Sequence, residues 1–256
     1  MLLTGVAPRR RGLTHFMDDA ELGSDLVSYH AMDDATTSKV VIDSVGFATG
    51  TAYTNTSIFS CTGPTSLITK GFNWTNTPCG FTADIDEPSA SILCKGKAFS
   101  FNQWVYIPSF PQYPQNYQSF FGNLNGYRGL ICMTNSQGLW HSFGDNAGKY
   151  SRLIVPAAKE HTGVWSMISF SYDGRTATEP NGGMKAYVNG SIITSPTLMN
   201  GPCSATITPG TTTNIGRANG NYGGWIGKQA ALAVWSKEIS AAGFAKMYNS
   251  GDGLPY

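Results

Sequence analysis

The sequence predicts an all-β sandwich with a short C-terminal helix and an extended N-terminal arm, and three observations carry that expectation. The segment WSMISFSYDG, residues 165–174, sets Trp165, Met167, Ser169 and Ser171 against Ser166, Ile168, Phe170 and Tyr172. That period of two puts alternate side chains on opposite faces of a strand. Residue pairs that tolerate positive φ, Asp173-Gly174 and Asn189-Gly190, punctuate β-branched and aromatic runs as hairpin turns do. Finally, thirty Gly, thirteen Pro and a charged fraction of 13% in 256 residues suit many short strands joined by tight turns within one large β domain.

The last third of the chain justifies its elements in order. After the strand at 165–173, MKAYVNGSII, residues 184–193, returns as a strand broken by its own Asn189-Gly190 turn. Thr213 to Arg217 forms a further short strand. A glycine-rich bend, GNYGGWIG, then leads into KQAALAVWSKEIS, a strand ending at Trp235. Ser240 is placed to cap a helix whose Phe244 and Met247 face inward, with Gly251 stopping it. Upstream, FSFNQWVY alternates Phe99, Phe101, Gln103 and Val105 against Asn102, Trp104 and Tyr106, with Trp104 expected in the core. Between residues 47 and 127 the remaining strands rest on pattern alone.

Taken together, W-x-x-I-S-F-S-Y-D-G, K-A-Y-V-N-G, N-I-G-R and G-W-I-G-K-Q-A-A-L-A-V-W-S-K-E-I-S, in that order, resemble the closing half of a concanavalin A-like lectin/glucanase domain of the laminin G type. The block DLVSYHAMDDATTSKVVIDSVG, residues 25–46, is similar to that family's opening strand. The resemblance implies a jelly-roll sandwich of two antiparallel sheets over residues 25–256, with residues 1–24 as the arm. It raises one cofactor, Ca²⁺ held by oxygen ligands at a rim loop, for which Asp33 and Asp34 are weak candidates; no D-x-D-x-D-G loop is present. It also raises glycoside hydrolysis, which needs two carboxylates about 5 Å apart on one strand face in retaining enzymes. The nearest approach is Asp84-Ile85-Asp86-Glu87, where Glu87 points away from Asp84 and Asp86 and Pro88 takes the position of a third carboxylate. With no G-x-S-x-G, H-E-x-x-H or phosphate-loop motif either, the sequence reads as non-enzymatic.

A formal net charge of +1 offers no concentrated basic surface for nucleic acid, and no stretch is long enough to span a bilayer. Five cysteines, odd in number and without C-x-x-C spacing, read as reduced thiols. The N-terminal residues lack the apolar core of a secretory signal, so the expectation is synthesis in a host cytoplasm. A lectin-like fold made in a reducing compartment but acting outside cells points to a virion. Laminin G-like domains are similar to modules on bacteriophage capsids and tails, so the expected role is a phage surface protein that decorates the capsid or forms part of the tail. The runner-up is a free-standing carbohydrate-binding adhesin.

The expected partners are other virion proteins and host-surface polysaccharide, with a homo-oligomer left open. Arg9, Arg10, Arg11, Leu13, Phe16 and Met17 are the candidate anchors of the arm, ordering upon binding. Leu22 is a further apolar anchor, while the acids Asp18, Asp19, Glu21 and Asp25 are expected to pair with the arginine run or with arms of other copies. Two regions are the candidate glycan or partner sites. One is the proline-stiffened loop displaying Phe110, Tyr113 and Tyr117; the other is the glycine-rich bend carrying Arg217, Asn219, Asn221 and Tyr222. His15, His30, His141 and His161 are too scattered in sequence to suggest a metal site.

Overall fold

The computed structural model describes residues 15–45, 48–74, 80–83, 93, 96–111, 117–123, 129–144, 150–175, 183–199, 212–217 and 225–256. Two antiparallel sheets face each other. The first contains β1 (Leu26–His30), β4 (Ser60–Thr62), β5 (Lys70–Trp74), β7 (Ala98–Tyr106), β12 (Trp165–Asp173), β13 (Met184–Val188), β14 (Ser191–Ile192) and β17 (Gly227–Trp235). Its order is β14-β13-β12-β7-β17-β5-β4, with β1 beside the second half of β17. The second sheet contains β2 (Val40–Val41), β3 (Gly50–Ala52), β6 (Phe81–Ala83), β8 (Gln118–Gly122), β9 (Gly129–Asn135), β10 (Gly138–Gly144), β11 (Tyr150–Val155), β15 (Thr197–Met199) and β16 (Thr213–Ile215). They run β15-β11-β10-β9-β8-β16-β6-β3-β2. The single α-helix among the described residues, α1 (Ala241–Tyr248), follows β17.

The expected alternation in β7 and β12 is present. Phe99, Phe101 and Val105 meet Ile168, Phe170 and Tyr172 in the main core between the sheets, while Trp104 and Met167 face the other way into a second cluster beneath α1. The Asn189-Gly190 turn has left-handed backbone at both positions, φ 52° and 74°, as a two-residue hairpin turn requires. Ser240 caps α1 by accepting the Gly243 N–H at 3.0 Å, and Phe244 and Met247 are buried. The stop differs by two residues: Asn249, left-handed at φ 48°, ends the helix, and Gly251 closes the short turn behind it. Asparagine tolerates that conformation because its short side chain bonds locally.

Residues 15–24 pack against the domain. Phe16 is fully buried against Tyr29, Trp235 and Tyr256, and Leu22 is buried in the same cluster. Trp235 donates its indole N–H to the Leu22 carbonyl at 2.7 Å. Three acids of the segment pair with the domain. Asp19 meets Lys246 at 2.8 Å and Asp25 meets Lys237 at 3.5 Å, while Glu21 accepts the Ser240 N–H at 2.7 Å. Apolar residues this close to β1 find an uncovered face of the first sheet in their own chain, so burial there needs no partner. Met17 alone of the described anchors stays exposed, at 38%. Arg9, Arg10, Arg11 and Leu13 lie outside the described residues.

Two histidines are enclosed in the sandwich. His141 rests on Phe101 and Phe170 with Nδ1 3.2 Å from the Cys132 sulfur, and burial pushes its pKa down to about 3. Burial takes His30 down to about 4, with the nearby Asp43 charge and a hydrogen bond to the Ile42 carbonyl acting in the opposite sense.

Two predictions follow from this packing. Phe16→Ala should destabilise the protein by about 3 kcal/mol, the range for emptying a buried aromatic site; chemical denaturation checks this, and a loss under about 0.5 kcal/mol would mark residues 15–24 as dispensable. Because both histidines bind protons more readily unfolded than folded, stability should fall as pH drops from about 6.5 towards 4. The melting temperature should therefore decline across that window, and His141→Phe should flatten the decline.

Candidate functional site

The outer face of the second sheet carries a continuous cross-strand row. The pairings Val40 with Thr51, Thr51 with Thr82, Thr82 with Asn214, Asn214 with Gly122, Gly122 with Ile131, Ile131 with Ser142 and Ser142 with Arg152 fix it. Directly paired residues share a face, and strands lie about 4.8 Å apart, so the row crosses the sheet like a lane. Its inner neighbours, Ala52, Phe81, Ile215, Phe121, Cys132 and Leu153, belong to the core. Along most of its length the row is covered, with Asn214, Ile131 and Ser142 buried. At the β2–β3–β6 end it opens to solvent.

That open end is a groove of about 280 Å³ lined by Lys39, Thr51, Ala52, Tyr53, Thr82 and Arg217. The Arg217 guanidinium lies 4.4 Å from the centre of the Tyr53 ring, a cation–π stack on a tyrosine that is 42% exposed. Partial burial lowers the pKa of Arg217, though not enough to discharge a guanidinium at neutral pH. Lys39 adds a second cation, and Thr51 and Thr82 supply hydroxyls. None of the six lining residues is acidic, and among the described residues neither Lys39 nor Arg217 has a carboxylate partner.

Arg217 is set in place by the core beneath it. Gly216, at φ 72°, donates its N–H to the Phe120 carbonyl at 2.9 Å. A Cβ there would lie 2.9 Å from the Trp74 indole nitrogen and 3.1 Å from the Gln229 side-chain oxygen. Trp74 in turn donates to Gln229 Oε1 at 2.6 Å, and Gln229 Nε2 donates to the same Phe120 carbonyl at 2.9 Å. The chain turns out of β16 over this buried node and delivers Arg217 to Tyr53.

Of the other sequence-predicted site residues, Asn219, Asn221, Tyr222 and Tyr113 lie outside the described residues. Phe110 is not displayed: it is 7% exposed and packs in the main core. A phenyl ring has no polar edge to keep it wet, so burial is favoured. Tyr117 is half-buried with its ring edge-on to Trp140 at 5.8 Å, at the covered end of the lane where Arg152 stacks on Trp140 and Tyr150. Tyr117 precedes β8, the strand paired with β16, but its ring turns to Trp140 on β10 whereas Arg217 stacks on Tyr53, so the two side chains take different neighbours. Lys39, Thr51, Tyr53 and Thr82 were not singled out by sequence reasoning, because only strand pairing brings them to Arg217.

The two acids proposed for Ca²⁺ stand in different surroundings. Both Asp34 oxygens accept the Ile42 N–H at 3.3 Å, so this carboxylate closes its own loop, and burial raises its pKa. Asp33 points to a different cleft. No group of three or more His, Cys, Asp or Glu side chains is arranged to hold a metal among the described residues. Asp84, Asp86 and Glu87 lie outside them. No described helix is long and apolar enough to cross a membrane.

A double-sheet antiparallel sandwich of this kind is a lectin-like fold, and sequence comparison agrees. The family model described as the concanavalin A-like lectin/glucanases superfamily, of laminin G type, matches residues 80–243, and the chain belongs to that family. No curated protein matches it in sequence. Among solved structures, the botulinum neurotoxin serotype G binding domain superposes with a TM-score of 0.63 at 14% identity, covering 88% of this chain and 51% of that one. The receptor-binding domain of the botulinum neurotoxin C/D mosaic serotype gives 0.62, 14%, 88% and 51%. The serotype D binding domain gives 0.62, 14%, 88% and 52%. At such identity the likeness is one of fold, and the chain spans about half the length of the structures it matches.

Rigid support of Arg217 has a testable consequence. Gln229→Leu should leave the Trp74 N–H buried without an acceptor and cost about 1–3 kcal/mol in denaturant unfolding; an unchanged midpoint would show the node to be structurally idle.

Proposed function

We propose that this protein is a non-enzymatic binding module that takes acidic carbohydrate in the Lys39–Tyr53–Arg217 groove. The observation carrying the reading is the stack of Arg217 on Tyr53 in a groove whose lining holds two cations and two threonine hydroxyls but no acid. An aromatic plane accepts a sugar ring face, the planar guanidinium matches a carboxylate or sulfate, and the threonines suit ring hydroxyls. The same lining lacks the paired carboxylates that glycoside hydrolysis requires, which supports binding over catalysis.

The setting we propose is a bacteriophage virion surface, on capsid or tail, with other virion proteins as partners and a host-surface polysaccharide as the ligand. What supports it is the combination of a lectin-like fold with free thiols at Cys61 and Cys132, since a protein folded in a reducing cytoplasm and released by lysis meets both conditions. The receptor-binding domains among its structural neighbours are in keeping with a surface-recognition role. A free-standing adhesin is the second reading, favoured by the groove being complete within one chain.

Calorimetric titration with oligogalacturonate and with oligosialic acid tests the groove, with dextran as the neutral control. At least one acidic probe should bind with an affinity that falls as salt rises. Arg217→Ala should weaken it at least tenfold, and Arg217→Lys should recover only part, because an ammonium cannot stack as a plane. Equal binding of dextran, or no effect of Arg217→Ala, would overturn the acidic-glycan reading. Mass spectrometry of purified particles from the source separates the settings: fixed high copy number supports the virion, and absence from particles supports the adhesin.

A further inference from the structure

We infer that the outer face of the second sheet holds a separate site for a carboxylate ligand, formed by Arg152 on β11 with Trp140 and Ser142 on β10. Strand pairing brings the three together: Ser142 lies directly across from Arg152, and Trp140 stands two residues along on the same face of β10. The guanidinium carbon of Arg152 is 4.8 Å from the centre of the Trp140 ring and 4.5 Å from that of Tyr150. Four strand steps separate β11 from β16, about 19 Å at the roughly 4.8 Å spacing of neighbouring strands, and no residue is shared with the Lys39–Tyr53–Arg217 groove.

An excess of donors marks this cluster. The Trp140 indole N–H, the Ser142 hydroxyl and the Arg152 Nε–H are all enclosed, and none has a hydrogen-bond partner among the described residues. Trp140 is 4% exposed and Ser142 is fully buried, while Arg152 is half-buried although its Nε is enclosed. No carboxylate pairs with Arg152 among the described residues. The side chains packed with Trp140, namely Ile131, Met133 and Ile154, bring no oxygen. Buried polar groups left this way are uncommon, because each forfeits the hydrogen bond that water gave it in the unfolded chain.

The complement follows from these donors. Two aromatic faces offset the charge of a guanidinium but do not replace oxygen acceptors at its N–H groups, so the missing group is anionic and made of acceptors. An ionised carboxylate has two oxygens with about four lone-pair sites, enough for a forked pair from Arg152 together with the indole and the hydroxyl. Charge balance selects it over phosphate: Arg152 supplies one positive charge, which a carboxylate cancels, whereas a phosphate ester carries about −1.5 to −2 near pH 7 and leaves negative charge uncompensated among apolar side chains. A free organic acid and an Asp or Glu side chain of a partner protein both present this group.

Proton–nitrogen NMR on the full chain reads the site directly, because the Trp140 indole N–H is one of six tryptophan signals and Trp140→Phe assigns it. Titration with propionate and with the tripeptide acetyl-Ala-Glu-Ala-amide should move that signal, and the same tripeptide with Gln in place of Glu should not. Binding of the Glu tripeptide about tenfold or more tighter than propionate assigns the ligand to a protein partner; a smaller difference assigns it to a free acid. Arg152→Gln should weaken carboxylate binding about tenfold or more. Ser142→Ala removes a hydroxyl that bonds nothing among the described residues, so it should weaken binding several-fold with the melting temperature unchanged, which keeps the test open if Arg152→Gln fails to fold. Arg217→Ala should leave the titration intact, so failure of this site is separable from failure of the acidic-glycan reading, which oligogalacturonate reports. The inference is overturned if neither carboxylate moves the Trp140 signal, if the Gln tripeptide moves it equally, if inorganic phosphate moves it and the carboxylates do not, or if the Ser142 and Arg152 variants bind as the parent does.

Discussion

The two sheets are tied through one buried amide. Gln229 stands on β17 of the first sheet, yet its Nε2 donates to the Phe120 carbonyl on β8 of the second, and its Oε1 accepts from Trp74 on β5. A polar side chain in an aromatic interior is tolerated only when it is hydrogen-bonded, and this one fixes how the sheets sit on each other as hydrophobic burial alone does not. β17 is suited to carry it. The strand pairs with β7 on one edge and with both β5 and β1 on the other, so displacement of Gln229 would disturb three neighbours at once. The same node forbids a side chain at residue 216 and so determines where Arg217 emerges.

The periphery depends on β17 through its other face. Trp235 and the alanines of the strand join Phe16, Leu22, Phe244 and Met247 in a second cluster, so the N-terminal segment and α1 cover the first sheet together. Covering one sheet in this way leaves the other to present a lane. Asp19 to Lys246 and Glu21 to Ser240 orient the two coverings, but both pairs are solvent-accessible in part and contribute little beside the aromatic burial.

Sequence reading reached the strands that alternate in residue type or end at a sharply marked turn. β12, β13, β14, β17 and α1 were legible because alternation and the Asn189-Gly190 turn mark them. β9 and β10 were not: each is buried throughout, and the connection between them, Ser136-Gln137, carries no marked turn pair such as Asn189-Gly190. The same limit governed the site. Arg217 was visible from its glycine-rich context, whereas Tyr53, Thr51 and Lys39 come from a segment with no motif and reach Arg217 only through the β16–β6–β3 pairings. Phe110 was misplaced because proline-flanked aromatics look alike in sequence whether they are displayed or folded under.

Charge placement separates the surfaces that serve stability from the groove. Asp173 with Arg175, Glu238 with Lys185, Asp25 with Lys237 and Asp19 with Lys246 are local solutions in which each cation has its acid. At the groove the chain does the reverse, setting Lys39 and a partly desolvated Arg217 side by side with only an aromatic face to offset the second. A cation–π contact of this kind supplies roughly 0.5–1 kcal/mol at an exposed site, too little to make two uncompensated cations a stabilising feature. The arrangement therefore leaves electrostatic free energy to be released when an anion arrives, and the rigid Gln229 node means that little of it is spent on ordering Arg217 first.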